Sequence, residues 1–292
     1  MQKLLFFLGK GGVGKSTASS LTSVYLAEKK YKVVLISIDP AHNLSDIFET
    51  PFSDIATEIK TGLKVIEIDQ DKWIRKYLKD SEQQFSKAYS YLTAFSLDKH
   101  FSVMQHAPGI EEYALLMAFN TIVKKYSKHD FLIFDMPPTA LALKFFALPQ
   151  ISLFWLGNLM KIRREISKKQ KIISTLSLGN KSIERDRVIE NIENQILFWN
   201  EINSLFQNEK ITFPLLVQNP DKLSAAEGER IIQKLSSVNM PQTLPILNRS
   251  NVIKGMSFIL NIPKLKSGVG FENLLKSLKK IDFLSLMQKL EI

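Results

Sequence analysis

The chain has 292 residues, 45% of them hydrophobic, which is enough for a sizeable packed core in one large domain or two small ones. It contains no cysteine, and this excludes disulfides, thiolate zinc sites, iron–sulfur clusters and cysteine nucleophiles. The formal net charge of +10 either solvates a lysine-rich surface or draws an acidic partner such as a membrane surface, a nucleic acid or an acidic protein.

The amino terminus passes from a short apolar run straight into glycines, as a first strand does and a signal peptide does not. No charge-free apolar run reaches about eighteen residues, so no bilayer-spanning segment is expected. Together with the missing cysteines this fits a cytoplasmic protein.

Short apolar runs recur at residues 4–8, 33–37, 65–68, 131–135, 213–217, 244–247 and 257–260. They are apolar throughout instead of alternating, as parallel strands covered on both faces are. Long helical stretches separate them, so the expected fold is α/β: a doubly wound, mostly parallel sheet flanked by helices. No repeat, low-complexity tract or Pro/Gly linker divides the chain, which reads as a single domain over 1–292.

Residues 70–129 and 150–207 are longer than an ordinary crossover needs, and they are expected to form a helical subdomain at one end of the sheet. In the second segment Ile151, Phe154, Trp155, Leu159, Ile162 and Ile166 fall at helical spacing, and Ile189, Ile192, Ile196, Trp199, Ile202 and Phe206 do so further on. The two stripes either pack on each other or form a groove for an apolar partner. The basic run from Lys161 to Lys171 reads as a solvated helix face. It comes with no zinc-finger or RNA-binding signature, so no specific nucleic acid is indicated.

Chemistry concentrates at residues 9–16, Gly-Lys-Gly-Gly-Val-Gly-Lys-Ser, between a strand and a helix. This is the P-loop pattern. Gly11, Gly12, Val13 and Gly14 let backbone N–H groups curl around a phosphate, and the helix beginning near Lys15 adds its positive end. Lys15 supplies a compact charge for the β- and γ-oxygens of ATP. Ser16 suits a direct Mg²⁺ ligand, and Thr17 extends the cradle. Asp135 ends a strand at the carboxyl edge of the sheet, where it would hold Mg²⁺ through water. Asp39 ends another strand and is followed by Pro40; a carboxylate there can orient an attacking water, accept its proton, or reach Mg²⁺ through water. Lys10 is either a solvated lysine or one that reaches a neighbour's nucleotide. His42, His100, His106 and His129 show no metal-ligand spacing.

These residues resemble a known family. The loop at 9–16 resembles the deviant Walker A of the SIMIBI class, and Asp39-Pro40-Ala41-His42-Asn43-Leu44-Ser45-Asp46 resembles switch I of the ArsA/GET ATPases. Pro108-Gly109-Ile110-Glu111-Glu112, the switch II-like Asp135-Met136-Pro137-Pro138-Thr139, Pro149 at the start of the helical insert, and Leu223-Ser224 with Glu227, Glu229 and Arg230 extend the likeness over nearly the whole chain. The resemblance implies a homodimer holding two ATPs at its interface, with Lys10 reaching the partner's phosphates and Asp39 activating the hydrolytic water. It also implies adenine recognition by Asn248, and binding of apolar transmembrane segments by the insert at 150–207.

The departures are equally specific. Without cysteine there is neither an arsenite-thiolate site nor a Cys-x-x-Cys zinc clasp. Switch II continues as Thr139-Ala140-Leu141-Ala142-Leu143-Lys144 where the family has a glycine and a histidine. That change bears on coupling between nucleotide and insert, not on phosphate chemistry.

The resulting expectation is an Mg-ATP-dependent dimeric switch that binds and releases a partner, either an apolar protein segment or a membrane-associated protein. The alternative is a MinD/ParA-like positioning switch on a membrane or DNA surface. Its support is the tail stripe Phe283, Leu286, Met287 and Leu290 with Lys276, Lys279 and Lys280 upstream, unless that stripe packs back on the sheet.

Overall fold

In the computed structural model the described residues are 1–41, 43–88, 109–178, 186–250, 258–265 and 269–292. The strands are β1 (Lys3–Leu8), β2 (Val33–Ser37), β3 (Thr57–Lys60), β4 (Leu63–Glu67), β5 (Phe131–Asp135), β6 (Thr212–Gln218), β7 (Leu244–Asn248) and β8 (Leu260–Ile262). The helices are α1 (Lys15–Glu28), α2 (Asn43–Phe48), α3 (Gln70–Ala88), α4 (Ile110–Lys125), α5 (Thr139–Leu178), α6 (Arg187–Gln207), α7 (Lys222–Ser237), α8 (Phe271–Leu278) and α9 (Leu284–Lys289).

The strands form a single eight-stranded sheet in the order β3-β4-β2-β5-β1-β6-β7-β8, parallel except for β3. The apolar runs are apolar throughout because each feeds two cores. On β1, Leu4, Phe6 and Leu8 join one cluster with α3 to α7, while Leu5 and Phe7 join the other with α1, α2, α8 and α9. In the first cluster Phe6 stacks on Phe134 at 4.9 Å, and Phe146 and Phe206 close on it edge-on. This arrangement brings the carboxyl ends of β2, β5 and β1 side by side at the middle of the sheet.

Several expectations are corrected by the fold. The antiparallel edge strand β3 went unforeseen: Thr-Glu-Ile-Lys is short, half-exposed and polar, so its pairing to β4 leaves no apolar run. The strand expected at 65–68 occupies Leu63–Glu67, and the last begins only at Leu260; Ser257 lies outside the described residues. Within 70–129, α4 is no peripheral insert. Ala114, Leu115, Leu116, Ala118 and Phe119 are completely buried, so it is the crossover helix that leads to β5. Residues 89–108 lie outside the described residues.

The second helical segment begins earlier than expected, at Thr139, and continues through Pro149 to Leu178 as one helix. A proline inside a helix removes one backbone hydrogen bond, at about 3 kcal/mol. Phe145, Phe146 and Met160, buried on either side of it, hold the helix in place across that gap. One described helix segment, Thr139–Lys169, is long and apolar enough to cross a membrane, by length and composition alone. The charge-free run between Lys144 and Lys161 is too short by itself, but the helix extends the apolar stretch past those charges.

The two stripes of this hairpin do not simply cover each other. Trp199, Ile202 and Phe206 are buried, whereas Ile151, Phe154, Trp155, Ile162 and Ile166 are exposed, Phe154 by 75%. The two helices are also fastened by Arg163, which donates to the Asp186 carboxylate at 2.9 Å while that carboxylate caps α6 at Val188 N and Ile189 N. The tail stripe is likewise resolved: Phe283, Leu286 and Leu290 are buried, and Phe283 stacks on Tyr25 of α1 at 3.9 Å. That stripe is core, and it presents no membrane face.

Candidate functional site

β1 delivers the chain into the loop 9–14 at the centre of the sheet. Gly9 takes φ +146°, and a Cβ there would meet the Val217 carbonyl oxygen at 2.4 Å, so the loop lies against the neighbouring strand β6 as only glycine permits. Gly14 sits at φ +93°, where a Cβ would meet Asn248 Nδ2 at 2.2 Å. At Gly11 and Gly12 no atom comes within 4 Å of an added Cβ, and both face solvent, so this side of the loop is an open shelf. Val13, 2% exposed, anchors the loop in the second core.

α1 starts at Lys15 with no side-chain cap and no acidic residue in its first turn. Its leading N–H groups are therefore left for an anion, and the helix dipole favours one there. The Lys15 ammonium lies 3.5 Å from the Lys10 carbonyl oxygen, folded over the loop and 6% exposed. Ser16 and Thr17 follow in the first turn, half-buried, and Lys10 is half-buried on the loop itself.

Two acids face this loop. Asp135 ends β5 opposite Phe7 of β1 on one side and Ser37 of β2 on the other. Ile38 N donates to the Asp135 carbonyl at 3.0 Å, which draws the chain leading to Asp39 toward the same edge. Asp39 is 7% exposed, and its Oδ1 accepts Ala41 N–H at 3.0 Å in a tight turn at Pro40. Asp135 is fully buried, and neither carboxyl oxygen has a hydrogen-bond partner of ordinary geometry among the described residues. Burial pushes its pKa from 3.8 up to about 7; the Ser16 hydroxyl and the Lys15 ammonium pull it down, while Asp39 and Glu67 add to the rise.

An orphaned carboxyl in a dry pocket beside a serine hydroxyl is a fitting place for a hydrated dication. No group of three or more Asp, Glu, His or Cys residues gathers into a metal cage among the described residues. The donors present suit Mg²⁺, which takes few protein oxygens and completes its shell with water and phosphate.

Three relationships were not foreseen. Asn248, expected from the resemblance to read adenine, gives its amide nitrogen to the Val13 carbonyl at 2.7 Å and is 5% exposed; residues 251–257 beyond it lie outside the described residues. Thr139 Oγ1 donates to Glu227 Oε1 at 2.8 Å, tying the start of α5 to α7. Glu67, at the end of β4, accepts from Leu44 N and Ser45 N at the start of α2. An acid closing a buried strand was the available signal for Glu67, but the expected strand at 65–68 placed it inside the run. His42 lies outside the described residues.

A glycine-rich loop between β1 and an uncapped helix, with Asp135 at the end of the adjacent strand β5 and Asp39 two residues beyond the end of β2, defines a P-loop ATPase. The sequence profile of the family described as anion-transporting ATPase, ArsA, matches residues 2–257, and the chain belongs to that family. It is 34% identical over 259 residues to ATPase GET3 of Komagataella phaffii, a match covering 85% of this chain and 72% of that protein. To the ATPase ASNA1 homolog of Plasmodium vivax it is 34% identical over 245 residues, 81% of this chain and 60% of that one. To the putative arsenical pump-driving ATPase 2 of Aquifex aeolicus it is 29% identical over 252 residues, 85% and 80% of the two chains. The chain is accordingly an ATPase of the ArsA/GET type.

Proposed function

We propose that this single-domain ATPase works in the cytoplasm as a homodimeric, Mg-ATP-controlled switch that grips and releases an apolar protein segment. The observation that carries this reading is the continuity of α5. It begins at Thr139, directly after Asp135-Met136-Pro137-Pro138, and displays Ile151, Phe154, Trp155 and Ile162 to solvent further along the same helix. Such a contiguous exposed apolar face is an expected docking surface. A rigid helix anchored beside the phosphate site is a direct way to move it.

In this reading the amides of Gly11 to Thr17 enclose the β- and γ-phosphates, and the Lys15 ammonium turns from the Lys10 carbonyl to their oxygens. Ser16 would ligate Mg²⁺ directly while Asp135 and Asp39 hold its waters, and the ion would supply neutralisation of phosphate charge and favour the Asp135 carboxylate. Asp39 orients the attacking water and takes its proton. Lys10 crosses to the partner's phosphates, and the exposure of Gly11 and Gly12 supports a second protomer closing the shelf. The absence of cysteine argues against thiolate capture of arsenite.

A photo-crosslinker placed at Phe154 tests this, with a synthetic transmembrane-type peptide and ATP or ADP. Crosslinking that depends on nucleotide and disappears with Trp155→Asp is expected. Equal, weak labelling in all states, or labelling indifferent to Trp155→Asp, counts against the switch.

A further inference from the structure

Every role assigned so far lies at the leading end of the segment 39–46. At its trailing end a buried carboxylate accepts hydrogen bonds from the backbone. Glu67 closes β4 in register with Ser37, just ahead of Asp39, and is 2% exposed. Its Oε1 accepts Leu44 N–H at 2.8 Å and Ser45 N–H at 3.0 Å, and its Oε2 accepts the Ser45 hydroxyl at 2.7 Å. Ser45 Oγ accepts in turn from Phe52 N at 3.0 Å, which extends the grip to the loop beyond α2.

These amides belong to the first turn of α2, where an N–H has no partner inside its own helix. α2 spans only Asn43–Phe48, too short to persist by its own hydrogen bonds. Leu44, Ile47 and Phe48 bury its inner face. On the outer side a cavity of about 460 Å³ opens against Ser45 and Glu67, rimmed by Asp54, Asp69 and Lys72. Packing therefore holds one face of α2, and the buried carboxylate holds its start, where the negative charge also meets the positive end of the helix.

We propose that Glu67 is a positioning residue of the ATPase reaction: by clamping Leu44 and Ser45 it fixes the segment 39–46, and with it the Asp39 carboxylate, in the geometry that hydrolysis requires. The inference rests on Asp39 being the group that orients the attacking water. Nucleotide binding, which falls to the loop 9–17, does not depend on the clamp.

ATPase kinetics and calorimetric ATP binding on the full chain test this with Glu67→Ala, Glu67→Gln, Ser45→Ala, Asp39→Asn and the Asp39→Asn/Glu67→Ala pair. Glu67→Ala should lower kcat about tenfold while the ATP Kd stays within about twofold, because only orientation is lost. Glu67→Gln should recover most of the rate, since a carboxamide oxygen still accepts the two N–H groups, and Ser45→Ala should fall between. Added to Asp39→Asn, Glu67→Ala should cost nothing more. Should Glu67→Ala fail to fold, Ser45→Ala carries the test, and an undiminished kcat there overturns the clamp. A raised KM at unchanged kcat overturns it too, as does a loss that multiplies in the double variant. An Asp39→Asn protein at full turnover overturns the clamp together with the role of Asp39 itself.

Discussion

The amide nitrogen of Asn248, at the end of β7, donates to the carbonyl oxygen of Val13 in the phosphate loop at 2.7 Å. The same amide fills the space where Gly14 lacks a Cβ. A residue two strands away from β1 in the sheet thus sets the height of the loop from outside, while Val13 sets it from below through its place in the core. Loop shape in this ATPase is a property of three adjacent strands together, and the glycines permit that shape without enforcing it.

Removing the Asn248 side chain should therefore loosen the cradle without destroying it. Asn248→Ala leaves the buried Val13 carbonyl without this donor, a loss of about 1 to 2 kcal/mol. ATP affinity should fall by about tenfold in calorimetric titration. Gly14→Ala should do worse, because the left-handed backbone and the contact with Asn248 both oppose a methyl group. Unchanged affinity in both variants would contradict this account of the loop.

Lys15 and Asp39 should separate binding from turnover. Lys15→Ala removes the buried ammonium that sits over the loop, and micromolar ATP binding should disappear. Asp39→Asn keeps the size of the side chain and its acceptor for Ala41 N–H, so ATP should still bind, while hydrolysis slows by about a hundredfold or more. Single-turnover kinetics alongside equilibrium binding distinguishes the two; equal effects on both quantities in both variants would refute the division of labour.

What could be read from residues alone follows a physical rule. Gly9, Gly14, Lys15 and Ser16 announce themselves because their spacing is local, and Asp39 and Asp135 because each closes an apolar run that can only be a buried strand. Asn248 follows such a run and Glu67 sits inside the one read at 65–68, yet their partners, Val13 and Leu44, are set by strand order, which no local pattern encodes. Pro149 read as the start of a helical insert, but burial of Phe145 and Phe146 ahead of it begins the helix at Thr139. The stripe at Phe283, Leu286 and Leu290 fits a membrane and a core equally well; the stacking partner, Tyr25, lies far away in sequence. The polar edge strand β3 had no pattern to read.

The hydrogen bond from Thr139 to Glu227 joins the first residue of α5 to α7. If α5 moves with nucleotide state, this contact must be made or broken as it does. Thr139→Val keeps the shape of the side chain and removes the donor, which should leave the fold intact at a stability cost of about 1 kcal/mol. Peptide crosslinking at Phe154 should then depend less on whether ATP or ADP is bound, with ATP affinity unchanged. An unaltered nucleotide dependence would show that the contact only braces α7.

Asp135 should make the nucleotide-free protein sensitive to pH in a direction opposite to that of an ordinary surface carboxylate. Its pKa is raised by burial from 3.8 to about 7, so between those values the folded chain holds a proton that the unfolded chain has released. Stability contributed by this group is accordingly greatest below pH 3.8 and falls as pH rises toward 7, by a few kcal/mol at most. Asp135→Asn removes the titration while keeping the shape. In metal-free and nucleotide-free buffer the variant should gain in unfolding midpoint relative to the parent chain as pH is raised from 5, the gap widening up to about pH 7 and levelling off above it. The same variant should lose Mg-dependent ATP hydrolysis, because an amide cannot hold the waters of a dication as a carboxylate does. Parallel pH profiles for the two proteins would mean that Asp135 is already ionised in the empty site.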